Sequence, residues 1–229
     1  FTHITHELCT PLTLINGVEN YIQAYAATSK DKILEKYTSV LRENVEELNG
    51  LIQEILDFRK AEDAGFSHTH IRRVSVSSLL RTQFEWFYPL SEQHQIQFKI
   101  DAPKELYWNT DSVYFKKILA NLISNAFKYT EDGGTVRISL HEEENFLVLK
   151  VYNTGKGIEE ADMQNIFDRY RILGTMDNDD NRQNTARNGL GLFICHSLVQ
   201  SLGGKIDIES EVGQYAEFTV TLPFGIVEE

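Results

Sequence analysis

Apolar residues at three- and four-residue spacing open the chain: Phe1, Ile4, Leu8, Leu12, Ile15, Val18, Ile22 and Tyr25. That spacing draws one apolar seam along a helix. It predicts a helix over residues 1–27, bent near Pro11, whose ring removes a backbone donor. Residues 28–31 read as a short loop with Asp31 as the next helix cap. Ile33, Tyr37, Val40, Leu41, Val45, Leu48, Leu51, Ile52, Ile55 and Phe58 then repeat the helical period, predicting a second helix over residues 32–60. Two long helices joined by a short loop form a hairpin. A lone hairpin leaves its outer apolar surface wet, and two copies bury it as a four-helix bundle with twofold symmetry.

The period breaks in the polar, glycine-containing stretch 61–70. We therefore expect a helical hairpin over residues 1–64, a linker over 65–72 and a second domain over 73–225. In that domain residues 71–76 read as a short strand and 77–91 as a helix. Residues 96–100 and 106–108 read as strands. Asp111 caps a helix running to Tyr129. Residues 135–140 and 146–152 alternate as a hairpin around Glu142-Glu143-Glu144-Asn145. A polar stretch without apolar period covers 171–188. A helix over 190–202 ends at Gly203-Gly204, and 205–211 with 216–222 form a last hairpin. Strands and helices are intermixed around a mostly antiparallel sheet, which is an α+β domain.

The 229 residues carry a net charge of −12, which argues against a general nucleic-acid surface. The two cysteines, Cys9 and Cys195, lack metal-ligand spacing and read as reduced thiols of a cytoplasmic protein. No run approaches the roughly 18 apolar residues of a membrane helix. The chain begins with Phe, inside a motif, so we expect a fragment of a longer protein.

Candidate chemistry sits in three places. His6 lies off the apolar seam and beside Glu7. An imidazole nitrogen becomes a nucleophile once a neighbouring base takes or orients its proton. An isolated His-Glu pair is more often a solvated helix face, so the rest of the chain decides. In the helix ending at Tyr129, Leu119, Leu122, Ile123 and Ala126 form one stripe, and Lys117, Asn121, Asn125 and Lys128 the opposite one. Two amides and two ammonium groups suit a phosphate chain and its metal, since a carboxamide oxygen is a hard neutral ligand for Mg²⁺. Asn153-Thr154-Gly155-Lys156-Gly157-Ile158 follows a strand and precedes a helix; glycines there let backbone approach a ligand. Gly189-Leu190-Gly191-Leu192 opens another helix, whose N-terminal amides favour anions.

His6-Glu7-Leu8, Thr10, Pro11 and Leu12 resemble the phosphoacceptor box of two-component sensor histidine kinases, with Cys9 in the arginine place. The asparagine helix and the two glycine pairs resemble the N, G1 and G2 boxes of the same family's ATP-binding domain, an α+β Bergerat-type sandwich. Ile166, Phe167 and Tyr170 resemble its F box, and residues 171–188 its ATP lid. The resemblance implies ATP and Mg²⁺ as cofactors, with Asn125 as metal ligand. It implies Lys128 on phosphate, Tyr129 on adenine and Asn153 in the place of the acidic residue that reads the adenine amine. Gly155, Gly157, Ile158, Gly189, Leu190, Gly191 and Leu192 complete the implied nucleotide contacts. Asn121 stands where hydrolytic cousins carry a water-activating glutamate, which implies a phosphotransferase with little hydrolysis. His6, Glu7 and Thr10 are the implied catalytic residues of the hairpin, Thr10 orienting water in a reverse phosphatase reaction. The implied partners are a second copy of the chain and a response-regulator receiver domain, and the implied parent is a membrane-anchored sensor. This sequence departs from the family pattern at Asn153, Arg187, Tyr215 and Ala216, and has Arg171 one position before the usual F-box arginine. The changes at Asn153, Arg187 and Tyr215 motivate the competing reading, a non-catalytic dimeric scaffold with a degenerate nucleotide pocket.

Overall fold

A computed structural model describes residues 69–167 and 191–226, together with Ile15, Gly17, Val18, Ile22, Tyr25, Leu34, Thr38, Leu41, Arg42 and Val45. The isolated positions belong to one compact unit and the two continuous stretches to another. In the first unit every described residue is helical. The Thr38 hydroxyl donates to the Leu34 carbonyl at 2.9 Å, one turn back. Thr38 and Val45, seven residues apart and so on one helix face, are both buried. Ile15, Val18 and Tyr25, all on the predicted seam, are exposed in the single chain.

The second unit runs β1 (Arg72–Ser75), α1 (Val76–Gln93), β2 (Gln97–Asp101), β3 (Tyr107–Thr110), α2 (Ser112–Tyr129), β4 (Thr135–Glu143), β5 (Phe146–Thr154), α3 (Glu160–Met163), α4 (Gly191–Ser201), β6 (Lys205–Glu211) and β7 (Tyr215–Pro223). Five strands form one sheet in the order β2-β4-β5-β7-β6, and β1 and β3 form a separate antiparallel pair. Only β2 and β4 run parallel within the larger sheet.

Alternation along the strands gives this sheet one greasy face. Val136, Ile138 and Leu140 of β4, Leu147, Leu149 and Val151 of β5, and Phe218, Val220 and Leu222 of β7 are buried. Against them lie Leu119, Leu122 and Ile123 of α2 and Ile194, Leu198 and Val199 of α4, likewise buried. Each such side chain contributes about 1.5–3 kcal/mol on burial. The helix α2 packs on α1, α4 and β5, so it is the central element of the helical layer. Phe127 of α2 stacks on Phe87 at 5.3 Å and meets Phe98 edge-on at 4.9 Å, which ties the end of α2 to α1 and β2.

Two details differ from the pattern-based expectation. The β4–β5 hairpin is tighter than the four-residue loop expected at 142–145, because both strands extend and only Glu144 and Asn145 turn. Both have positive φ, 49° and 66°, as a two-residue turn matching the strand twist requires. The helix after Gly157 is a single turn, α3. At the end of α4, Gly203 N–H donates to Gln200 and Gly204 N–H to Val199, the expected glycine stop.

Candidate functional site

The site is organised on α2, whose start is fixed by Asp111. Its Oδ1 accepts from the backbone N–H of Val113 at 2.8 Å and Tyr114 at 3.1 Å. The two faces of α2 separate as their residue types dictate. Phe115, Ile118, Leu119, Leu122, Ile123, Ala126 and Phe127 are buried, whereas Lys117, Asn121 and Asn125 are half-buried and Lys128 and Tyr129 exposed. Asn121, Asn125 and Lys128 therefore share the rim of the layer. The Lys128 ammonium lies 5.8 Å from the centre of the Tyr129 ring.

The first residue of α4 meets this face. A Cβ built on Gly191 would lie 3.8 Å from the Asn121 carboxamide oxygen, an ordinary contact. The start of α4 and the amide of Asn121 are thus neighbours, although seventy residues separate them in the chain. Gly191 and Leu192 are described; Gly189 and Leu190 lie outside the described residues, as do His6, Glu7, Thr10 and Arg187.

The glycines after β5 serve a purpose that spacing alone did not reveal. A Cβ on Gly155 would overlap the Tyr129 carbonyl oxygen, and one on Gly157 the Glu211 carbonyl oxygen. The chain's own backbone fills both places, so these glycines are required by packing before any ligand is considered. Gly155 N–H donates to Gln214 at 3.0 Å, Gly213 N–H to Lys156 at 2.7 Å, and Ile158 N–H to the Ser210 hydroxyl at 2.9 Å. Ser210 in turn donates to the Tyr215 carbonyl at 2.6 Å. The loop 155–158 is therefore laced to the β6–β7 turn. Ser210 escaped the sequence reading because a lone serine in a strand carries no pattern.

Asn153 lies on the greasy face of β5 and is 5% exposed. Its Nδ2 donates to the Thr154 carbonyl at 3.1 Å. Its cross-strand neighbour is Ala216. Tyr215, one residue earlier, falls on the opposite face of the sheet. Its ring stacks on Tyr152 at 5.4 Å and its hydroxyl donates to Glu209 at 3.0 Å. Of the two unusual residues at this place, only Ala216 shares a face with Asn153. Phe167 stacks on His196 of α4 at 5.3 Å. Cys195, fully buried, has its thiol pushed well above the ordinary range by burial and is no nucleophile.

Among the described residues no group of three or more His, Cys, Asp or Glu side chains is placed to hold a metal ion. The donors on α2 are neutral amides beside a lysine. That set fits a magnesium ion carried in by phosphate oxygens and touched by one amide, rather than a site made wholly of protein. No described helix is long and apolar enough to cross a membrane.

Comparison with known proteins agrees with this geometry. The model of the histidine kinase-, DNA gyrase B-, and HSP90-like ATPase family matches residues 110–226. The sensor protein SrrB of Staphylococcus aureus (strain NCTC 8325 / PS 47) is 30% identical over 221 residues, 96% of this chain and 37% of that protein. The chain thus spans well under half the length of this relative. Full-length ShkA in complex with AMPPNP superposes with a TM-score of 0.77 at 24% identity, covering all of this chain and 46% of that one. Histidine kinase AdeS of Acinetobacter baumannii gives a TM-score of 0.65 at 20% identity, covering 96% and 98%. ThkA in complex with response regulator protein TrrA gives 0.68 at 22% identity, covering 98% and 60%. Over more than half its length, from the end of β3 through β7, the chain belongs to the histidine kinase-, DNA gyrase B-, and HSP90-like ATPase family.

Proposed function

We propose that this chain transfers the γ-phosphoryl group of ATP to His6 and then to an aspartate of a response-regulator partner. The observation that carries the proposal is the shared rim of α2, where Asn121, Asn125 and Lys128 lie together and the start of α4 meets Asn121. Asn125 would hold Mg²⁺, which when bound neutralises charge on the phosphate oxygens. Lys128 adds a fixed positive charge, and the first amides of α4 favour an anion. Tyr129 offers a ring to the base, and Asn153 Oδ1 accepts from its exocyclic amine. Gly155, Gly157 and Ile158 hold the wall beside them, with Gly189, Leu190, Gly191 and Leu192 at the entry to α4.

In the hairpin, Glu7 orients or accepts the ring proton of His6 while the other ring nitrogen attacks phosphorus and the ADP oxygen leaves. Thr10, four residues after His6, orients water in the reverse dephosphorylation of the partner. Catalysis is mainly positioning and charge neutralisation. Asn121 is an amide and takes up no proton at neutral pH, so water is poorly activated and hydrolysis is slow. The hairpin over 1–64 pairs with a second copy as a four-helix bundle, a reading supported by the exposed seam residues Ile15, Val18 and Tyr25. The linker over 65–72 leads to the ATP-binding domain over 73–225. The parent is a membrane-anchored sensor whose kinase end faces the cytoplasm, as the family relation to sensor protein SrrB supports.

The test is incubation with labelled ATP and Mg²⁺ beside His6→Ala. The expected product is acid-labile, base-stable label in the wild type and none in the variant. A second reading, a scaffold with a degenerate pocket, draws on Asn153 and Ala216. It predicts no label in either protein and negligible nucleotide affinity. ATP turnover by His6→Ala without phosphoprotein would refute both.

A further inference from the structure

The greasy face of the sheet ends in a polar row. Ala216 of β7 lies opposite Asn153 of β5 on one side and Ser210 of β6 on the other. Residues directly opposed across strands share a face, with Cβ atoms about 5 Å apart. Asn153, Ala216 and Ser210 therefore form one line at the end of the sheet. The next two rows on that face are apolar: Val151, Phe218 and Ile208, then Leu149, Val220 and Ile206. A serine in this line is out of keeping with the packing of the face.

Its hydroxyl is engaged twice. It accepts the backbone N–H of Ile158 at 2.9 Å and donates to the Tyr215 carbonyl at 2.6 Å. A hydroxyl has one proton to give, so Ser210 has no donor left for a ligand. What it holds is the loop. At the loop's entry, backbone meets backbone: Gly155 N–H donates to Gln214, and Gly213 N–H to Lys156. At its exit the Ile158 N–H goes to a side chain, that of Ser210. Between them Gly157, with a φ of +65°, passes against the carbonyl of Glu211, the residue after Ser210. Deleting the hydroxyl strands the Ile158 N–H and the Tyr215 carbonyl, and both must then turn to water. The exit of the loop lifts from β6 while its entry stays fixed.

We infer that Ser210 is a positioning residue: its hydroxyl sets the place of Ile158, and nucleotide affinity depends on it while the rate of phosphoryl transfer does not. The effect on affinity rests on the function proposed above; the bond to Ile158 does not. Asn121, Asn125 and Lys128 sit on α2, which keeps its cap and its packing when Ser210 changes. A contact made equally before and during reaction alters KM and leaves kcat alone.

The test uses the whole 229-residue chain with Ser210→Ala and Ser210→Thr. Thr keeps the hydroxyl and suits a strand. In Ser210→Ala the Ile158 amide is expected to exchange with solvent at least about tenfold faster, while Gly155 and Gly213 keep their protection. The dissociation constant of a non-hydrolysable ATP analogue with Mg²⁺ should rise about fivefold, as for one lost neutral hydrogen bond. KM for ATP in His6 phosphorylation should rise with it, and the rate at saturating ATP should match the wild type. Ser210→Thr should restore exchange and affinity together. Unchanged Ile158 exchange in Ser210→Ala would overturn the inference, as would faster exchange with wild-type affinity. So would a fall in the saturated rate, or lost protection at Gly155 and Gly213, which would mark a general loosening. A wild-type chain that does not bind the analogue would remove the nucleotide reading and the affinity effect with it, leaving exchange to judge the bond. One that binds the analogue and forms no phosphohistidine would remove phosphoryl transfer alone, and analogue affinity would still decide.

Discussion

Gly157→Ala is the perturbation whose size the structure defines best. Gly157 has a φ of +65°, and a Cβ there would meet the Glu211 carbonyl oxygen, with the carbonyl carbon at 2.8 Å and Val212 Cα at 2.9 Å. An L-residue in the left-handed region costs about 1–2 kcal/mol. Overpacking adds about 1–3 kcal/mol, and here every neighbour is backbone, so no flexible side chain can move aside. The expected loss is about 3 kcal/mol, or roughly 6–12 °C in Tm for a unit of this size. Gly133→Ala isolates the first contribution, because Gly133 has a φ of +80° and nothing within 4 Å of a built Cβ. Urea unfolding followed by fluorescence of the buried Trp108 measures both. If Gly157→Ala costs no more than Gly133→Ala, the claim that the β6–β7 turn fills the space at Gly157 is wrong.

Asn153→Asp should weaken binding of an ATP analogue by about fivefold, because a carboxylate oxygen would replace the Nδ2 that now donates to Thr154. Calorimetric titration measures it, and tighter binding would show that charge matters more than the Thr154 bond. Tyr215→Ala should cost about 1 kcal/mol of stability through the lost stack on Tyr152 and leave analogue affinity alone, since the ring lies on the far face of the sheet. A large affinity change in the same titration would contradict that placement. In a Cys9→Ser background, Cys195 should resist thiol reagents until the chain is unfolded. Its native proton is held more tightly than the unfolded one, so this thiol's contribution to stability is full below the ordinary value of 9.0 and declines as pH rises above it. Denaturation midpoints across that range check the sign.

Much of the second unit was legible because its signals are local. The two faces of α2, the cap at Asp111 and the glycine stop after α4 each follow from a few neighbouring residues. What stayed hidden depends on residues far apart in the chain. The parallel pairing of β2 with β4 leaves no local mark. Nor does the meeting of Gly191 with Asn121, or the use of the second Asp111 oxygen by His70. The glycines at 155 and 157 were legible as points of close approach, but the approaching group is Tyr129 and Glu211 backbone. Tyr215 and Ala216 stand together in sequence and apart in space, since consecutive strand residues face opposite sides.

The central claim is that the rim of α2 is the nucleotide face. Its most direct test is titration of a non-hydrolysable ATP analogue into wild type and Asn125→Ala, with Mg²⁺ and with chelator. Binding that Mg²⁺ strengthens in the wild type, and that in Asn125→Ala is weaker by about tenfold and indifferent to Mg²⁺, is the predicted result. Equal affinity and equal Mg²⁺ dependence in the two proteins would contradict it.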